Sequence, residues 1–391
     1  MKQQSSNKRV FLILFLVVAT ELIGFGLIIP VLPQIAHQFQ TNGLMLGMLL
    51  ATYSAAQFFA GPILGGLSDK YGRRPVLILS KLGTVISYLI LAKAGSFWMI
   101  FLSRLIDGTT GGNISVARAY VADITTPENR SKGMALIGIA FGVGFVVGPG
   151  LGGLLYQSGS HAIPALVAGG LSLLALIGTI IWLDEPSKKS SLPSQNLAIF
   201  QWVKHINTST IKWILILQLV YMIIFSGFET TFALYNLNEF GFDKTQNSLM
   251  FFVIGLFGLV IQGGLARRTV TNTKRVVGVG VLVVAFSYVC LSLVTTVQTL
   301  ILALGIMALG IGLVMIYLPT LLSHETTANH VGAVMGIYES MGSLARVLGP
   351  LIAYLTIYNN IRLGYLMFGI SLVVMSALFL MGYQKQKEKN T

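Results

Sequence analysis

Four carboxylates stand inside apolar sequence, Glu21, Asp107, Glu229 and Glu339, and Arg104 and Arg346 accompany them. In a bilayer each such charge costs at least roughly 2–3 kcal/mol at mid-helix, so none is expected to face lipid. The chemistry open to them is proton exchange. Desolvation raises a carboxylate's proton affinity and an opposed guanidinium lowers it, so a change of surroundings toggles the group. Arg104 and Asp107 are three residues apart, on one helical face and within pairing reach. They read as a proton-exchanging pair, the alternative being a static ion pair that fixes helix packing. Glu21 reads as a cavity carboxylate for a proton or a cationic compound, against helix-packing polarity. Glu229 reads as a coupling group or a partly hydrated cavity rim, and Glu339, beside Tyr338, as a group on the opposite wall. Arg346 reads as a cap on carbonyls or a pairing partner near the outer face.

A second constellation is Gly65-Gly66-Leu67-Ser68-Asp69-Lys70-Tyr71-Gly72-Arg73-Arg74. Gly72 permits a backbone bend that other residues resist. Asp69 can accept hydrogen bonds from a neighbouring helix N-terminus or pair with Arg73, and Asp123 is a second candidate partner for Arg73 and Arg74. Such a cluster can latch a protein shut on one side of a membrane; a plain positive anchor is the alternative. Gly144, Gly148, Gly152 and Gly153 recur at helical spacing around Pro149, which gives a groove for close helix packing and a bend. Gln57, Phe141, Phe145, Phe225, Phe228 and Tyr338 can line an aromatic cavity suited to lipophilic cations, though aromatics in such helices are mostly packing.

Other chemistry is missing from the sequence. There is no GxxxxGK[ST] run for nucleotide phosphates. His37, His161, His205, His324 and His330 have no metal-ligand spacing, and no nucleophile–base arrangement stands out. No cofactor, no metal and no enzymatic activity are expected.

The elements that must carry these groups follow from composition. Of 391 residues 54% are hydrophobic and only 10% charged, with a mean hydropathy of +0.78. Soluble domains carry roughly 25% charged residues, so a soluble enzyme, a disordered chain and a coiled coil are excluded. Twelve apolar runs approach the length of about 20 residues that crosses a bilayer: 10–35, 43–66, 75–94, 97–121, 133–156, 162–183, 213–236, 246–266, 275–294, 297–321, 330–357 and 361–382. The first follows Lys8-Arg9 but continues past signal-peptide length, and is expected to remain as a transmembrane helix. With the N-terminus inside, Lys and Arg divide nineteen to three in favour of the cytoplasmic side, so both termini are expected there, in the cell membrane. That distribution, in short segments between spans, explains the net charge of +13 without nucleic acid. Cys290 is the one cysteine.

Two echoes divide the chain. Gly263-Gly264-Leu265-Ala266-Arg267-Arg268 repeats the motif after span two at an offset of 198 residues, and Gly349-Pro350 repeats Gly148-Pro149 at 201. The expected organisation is an all-α membrane protein of twelve helices in two pseudo-symmetric bundles, 1–184 and 213–391. A cytoplasmic linker, 185–212, joins them, and its Leu197, Phe200, Val203 and Ile206 are spaced for a short surface helix or lie in a flexible connector.

The segment Gly65–Arg74 resembles the signature of the major facilitator superfamily. Residues Gly144–Gly153 are similar to the span-five motif of its drug/proton antiporters, a motif that accompanies export. Gly24-Phe-Gly26-Leu-Ile-Ile-Pro30-Val-Leu-Pro33 and Ala122-Asp123-Ile124-Thr125 resemble the twelve-helix group of tetracycline/proton antiporters and quinolone-type exporters, and Phe228-Glu229-Thr230 is similar to the latter. The resemblance implies the major facilitator fold and a role for Arg104 in proton transfer. Aligned on the tetracycline exporters, however, their acidic residue of span three falls at Ser87, their span-eight histidine at Gly258 and their span-nine aspartate at Val284. Tetracycline is therefore not the expected substrate. The expectation is a proton-coupled exporter of amphiphilic small molecules, working as a monomer with protons, substrate and the bilayer as its partners. Export of an endogenous metabolite such as a sugar or siderophore, or a transporter-derived sensor, are the alternatives.

Overall fold

The structure, a computed structural model, describes residues 2–28, 43–156, 160–186, 209–265, 270, 272–327, 330–357 and 360–390. The linker residues 187–208, Pro30, Pro33, Arg267 and Arg268 lie outside them, as do the side-chain surroundings of Phe145, Pro149 and Gly153. Among the described residues there are thirteen helices. These are α1 (Lys2–Ile28), α2 (Gly43–Tyr71), α3 (Arg73–Ala92), α4 (Phe97–Thr110), α5 (Asn113–Ile124), α6 (Arg130–Leu155), α7 (Ala162–Trp182), α8 (Ser209–Phe240), α9 (Lys244–Leu265), α10 (Thr273–Leu293), α11 (Val297–Glu325), α12 (Val331–Ile357) and α13 (Ile361–Asn390). Among the described residues, eight are long and apolar enough to cross a bilayer. A backbone in hydrocarbon has no water to satisfy it, so every crossing closes its hydrogen bonds within a helix.

One expectation needs correction. The apolar run 97–121 is two helices, because Gly111 and Gly112 interrupt it between α4 and α5. The break frees backbone groups, and Gln57 satisfies one of them by donating from Nε2 to the Gly111 carbonyl at 2.9 Å.

Polarity is turned inside out across these helices. On α3, Leu79, Leu82, Ile86 and Leu89 are exposed while Ser80, Lys81, Thr84, Ser87 and Tyr88 are buried. That is the pattern expected where the surroundings are lipid and polar groups must find partners within the protein.

The chain divides into two compact units. The first holds 1–126, 139–199 and 327–340, so it includes α1–α5, most of α6, α7 and the first turns of α12. The second holds 127–138, 200–326 and 341–391. Each unit thus takes one short segment from the other half of the sequence. In the first unit α3 packs on α4 and α7, α1 on α7, and α2 on α4; in the second α10 packs on α11 and α13.

Candidate functional site

The first unit contains a chain of buried charges. Arg104 Nη1 lies 3.3 Å from Asp107 Oδ2, one turn apart on α4, both side chains almost wholly buried. The Arg104 guanidinium also sits over the Tyr88 ring, 5.4 Å from its centroid. The sequence pairing of Arg104 with Asp107 is therefore what the helix builds, and it is a loose pair. Asp107 Oδ1 and Arg104 Nε have no hydrogen-bond partner among the described residues.

Glu21 is held tightly. Its Oε2 accepts from Lys81 Nζ at 2.8 Å and from Asn113 Nδ2 at 2.7 Å, and Lys81 also reaches Thr20 Oγ1 at 3.2 Å. One carboxylate thus ties α1, α3 and α5 together. Glu339 falls in the first unit, where Arg118 of α5 pairs with it and stacks over Tyr338, 5.0 Å from the ring centroid. Sequence reasoning missed Lys81 and Arg118. Their signal is present in the sequence: once the loop cations are assigned to the two sides, four remain inside the spans, Lys81, Arg104, Arg118 and Arg346.

At the Gly65–Arg74 turn the structure brings the expected residues together and adds others. Arg73 lies 2.6 Å from Asp69 Oδ1 and 2.7 Å from Asp123 Oδ2, and donates to Ser68 Oγ at 2.6 Å. Asp69 in turn accepts from the Gly332 and Ala333 amides at 2.9 and 2.8 Å, so it caps the first turn of α12. A negative charge there complements the unpaired amides and the helix dipole. A second carboxylate caps α3: Glu185 accepts from the Arg73 and Arg74 amides at 2.6 and 2.9 Å. Glu185 was not singled out in the sequence, because nothing in its own neighbourhood points to a helix more than a hundred residues earlier. Among the described residues the Arg74 side chain forms no ion pair with Asp69 or Asp123, and it donates to the Ile180 carbonyl at 2.6 Å.

Glycine is required at two places. Gly72 has φ 103°, and a Cβ there would meet the Glu185 carboxylate at 2.6 Å. A Cβ on Gly332 would run into Arg73, the Gly65 carbonyl and Asp69, so any side chain would push α12 off the charge cluster.

The glycine motif of α6 packs as its spacing suggests. Added Cβ atoms at Gly144, Gly148 and Gly152 would strike Leu22, Gly26 and Leu27 in turn, so these residues seat α6 directly on the backbone of α1.

The expected cavity residues that the structure describes divide between the two units, Gln57, Phe141 and Tyr338 in the first and Phe225 and Phe228 in the second. Gln57 holds the α4–α5 break, and Tyr338 is buried beneath Arg118. Phe141 is half-buried on α6. Phe225 stacks on Tyr221 at 6.3 Å with 10° between the rings. Phe228 belongs to an aromatic core in the second unit, 4.8 Å from Phe232 and 5.8 Å from Tyr288. Glu229, also in the second unit, forms no ion pair among the described residues; Arg346, whose Nη2 contacts Ser343 Oγ at 3.1 Å, is the cation that acts on it. Among the described residues no three of His, Cys, Asp and Glu come together as a metal site.

Comparison with known proteins agrees with this architecture. The family model described as Major Facilitator Superfamily matches residues 14–350 and 270–391. The chain is 29% identical over 364 residues to the class B tetracycline resistance protein of Escherichia coli, covering 91% of this chain and 89% of that protein. It is 30% identical over 398 residues to the major facilitator superfamily domain-containing protein 10 of Mus musculus, covering 89% and 87%. Among solved structures, the human organic anion transporter MFSD10 (TETRAN) superposes with a TM-score of 0.84 at 25% identity, covering 95% of this chain and 99% of that one.

Proposed function

Starting from the fact that the chain belongs to the major facilitator superfamily, and so is a multi-pass membrane transporter and not an enzyme, we propose that it exports amphiphilic small molecules in exchange for protons. The observation that carries the reading is the loose Arg104–Asp107 pair, buried on α4 with one carboxylate oxygen unpartnered. A carboxylate opposed by a single guanidinium at 3.3 Å can be either charged or protonated without leaving a second fixed cation stranded. Glu21 and Glu339 are each held by a cation on another helix, Lys81 and Arg118, and in this reading they tie helices together. Coupling therefore centres on Asp107, with Glu229, which forms no ion pair among the described residues, as its counterpart in the second unit. The Asp69–Arg73–Asp123 cluster serves as the latch, on the cytoplasmic face of the cell membrane, that opens and closes as access alternates.

The relatives named for tetracycline resistance favour drug export, while a metal–tetracycline complex is disfavoured. The positions that the resemblance assigns to its recognition hold Ser87, which bonds to the Ser103 carbonyl at 2.9 Å, and the buried Val284. The likeness to an organic anion transporter supports a second reading, in which the amphiphile is an anion.

Everted membrane vesicles test the reading. Asp107→Asn is expected to abolish substrate-dependent proton release from energised vesicles while leaving expression intact. Proton-coupled transport that survives in this variant would remove Asp107 from coupling. Asp69→Asn is expected to lower turnover on the order of tenfold with little change in substrate affinity; a weakened affinity at unchanged turnover would contradict the latch.

A further inference from the structure

The break between α4 and α5 carries polar atoms that the protein itself leaves unsatisfied. Ser80 Oγ, Arg104 Nε, Asp107 Oδ1 and Asn113 Oδ1 are all buried and all without a hydrogen-bond partner among the described residues. They come from stretches that meet at one place. Ser80 and Thr84 share a face of α3, the Thr84 hydroxyl bonds back to the Ser80 carbonyl at 3.2 Å, and Thr84 also lies beside the Asp107 carboxylate. Thr110, in the last turn of α4, seats against Gly83 of α3. Asn113 opens α5 just past the break and is tied through Glu21 to Lys81, the neighbour of Ser80.

Native proteins rarely leave such atoms unpaired, and each costs about 1–3 kcal/mol if it stays so. Four along adjoining turns of α3, α4 and α5, with both donors and acceptors among them, match the needs of internal water, which makes about three hydrogen bonds to buried polar groups. A metal cation fits poorly, since Arg104 and Lys81 already bring positive charge to the same region.

We propose that the α4–α5 break is a water-binding site inside the first unit, formed by Ser80, Arg104, Asp107 and Asn113, and that its water delivers the proton to Asp107. The step needs no other reagent: an O–H bond of a protonated water breaks, an O–H bond forms on Asp107 Oδ1, and neutral water remains. Beyond the groups that bind the water, those facing this carboxylate are Glu21 on α1, and Lys81, Thr84 and Tyr88 on α3. Ser80 and Asn113 are positioning residues that hold the water; neither carries the proton. The inference rests on the coupling role proposed for Asp107, and its test separates the two.

Radiolytic hydroxyl-radical footprinting of the wild-type protein in lipid nanodiscs reads bound water directly. Tyr88, whose ring lies under the Arg104 guanidinium, and Tyr288, in the aromatic core of the second unit, are equally inaccessible. Bound water predicts oxidation of Tyr88 on the order of tenfold faster than Tyr288, a difference in barrier of about 1.4 kcal/mol. Equal, slow oxidation of both overturns the proposal and leaves the role of Asp107 standing. Infrared difference spectroscopy supplies the second readout, through the protonated-carboxyl band that is lost in Asp107→Asn. In D2O that band is expected to exchange promptly in wild type and in Ser80→Ala, which leaves room for water. In Ser80→Val, which fills the room, exchange is expected to slow on the order of tenfold. Prompt exchange in Ser80→Val also overturns the proposal. If wild type has no titrating band that Asp107→Asn removes, the coupling reading fails and the water site falls with it.

Discussion

Helices α3 and α10 begin 200 residues apart, at Arg73 and Thr273, and α4 and α11 do the same, at Phe97 and Val297. At that offset Tyr88 matches Tyr288, Ser87 matches Ser287 and Leu91 matches Leu291, and all six are buried. Between these matched residues the chemistry diverges. Ser80, Lys81 and Thr84 of the first unit correspond to Gly280, Val281 and Val284 of the second. Ser103, Arg104 and Asp107 correspond to Ala303, Leu304 and Met307, and every one of these twelve residues is buried. The glycine pair that breaks the first unit's span corresponds to Ile311-Gly312, inside the unbroken α11. Even the shared serine differs in use: Ser87 reaches across to the Ser103 carbonyl at 2.9 Å, while Ser287 bonds to Val284 of its own helix at 2.7 Å.

The same backbone frame therefore holds an ion-pair system in one unit and hydrocarbon with aromatic rings in the other. Burial at these positions is set by how the helices pack, and the residue type then decides whether the buried face does chemistry or only fills space. At these matched positions the second unit carries no charge that needs a counter-ion, and tyrosine hydroxyls nearby bond within the unit. Tyr235 donates to the Leu291 carbonyl at 2.7 Å, and Tyr365 meets Thr231 at 3.4 Å. Charge in the first unit needs a partner for each side chain, and that requirement links α1, α3, α4 and α5.

Three substitutions probe this contrast, each read by thermal or denaturant unfolding in detergent. Lys81→Val installs the second unit's residue in the first and strands Glu21, so a loss of about 3–5 kcal/mol is expected. Neutralising Glu21 as well, as Glu21→Gln, is expected to recover more than half of it; a double variant no better than the single would show that Lys81 acts by packing. Val284→Thr moves the other way, placing a hydroxyl in the apolar frame. The expected cost is about 1–3 kcal/mol, at the lower end if the hydroxyl bonds back to its own helix as Thr84 does. Tyr288→Phe should be mildest, about 0.5–1.5 kcal/mol, because its hydroxyl donates to Ile224 only at 3.4 Å. A larger loss there than for Lys81→Val would reverse the comparison.

Much of the architecture was legible in the linear chain because a bilayer imposes it. Apolar length and glycines every fourth residue in α6 are local patterns whose meaning does not depend on distant contacts. Arg104 with Asp107, and Asp69 with Arg73, were legible for the same reason, since residues three or four apart on a helix must meet. The pairs that escaped reading are long-range: Glu21 with Lys81, Arg118 with Glu339, and Glu185 with the amides of Arg73 and Arg74. The Gly111–Gly112 break escaped because a glycine pair inside an apolar run is compatible with a continuous helix until its neighbours are known.

The sequence alone determined that this chain is helical, spans a membrane and buries charge, because composition and local spacing fix what hydrocarbon will tolerate. Tertiary structure alone decided which carboxylates are neutralised and which are left with an unpartnered oxygen. Electrostatic partnership depends on distance in space, and residues from sixty to more than two hundred positions apart acquire that distance only when the helices pack.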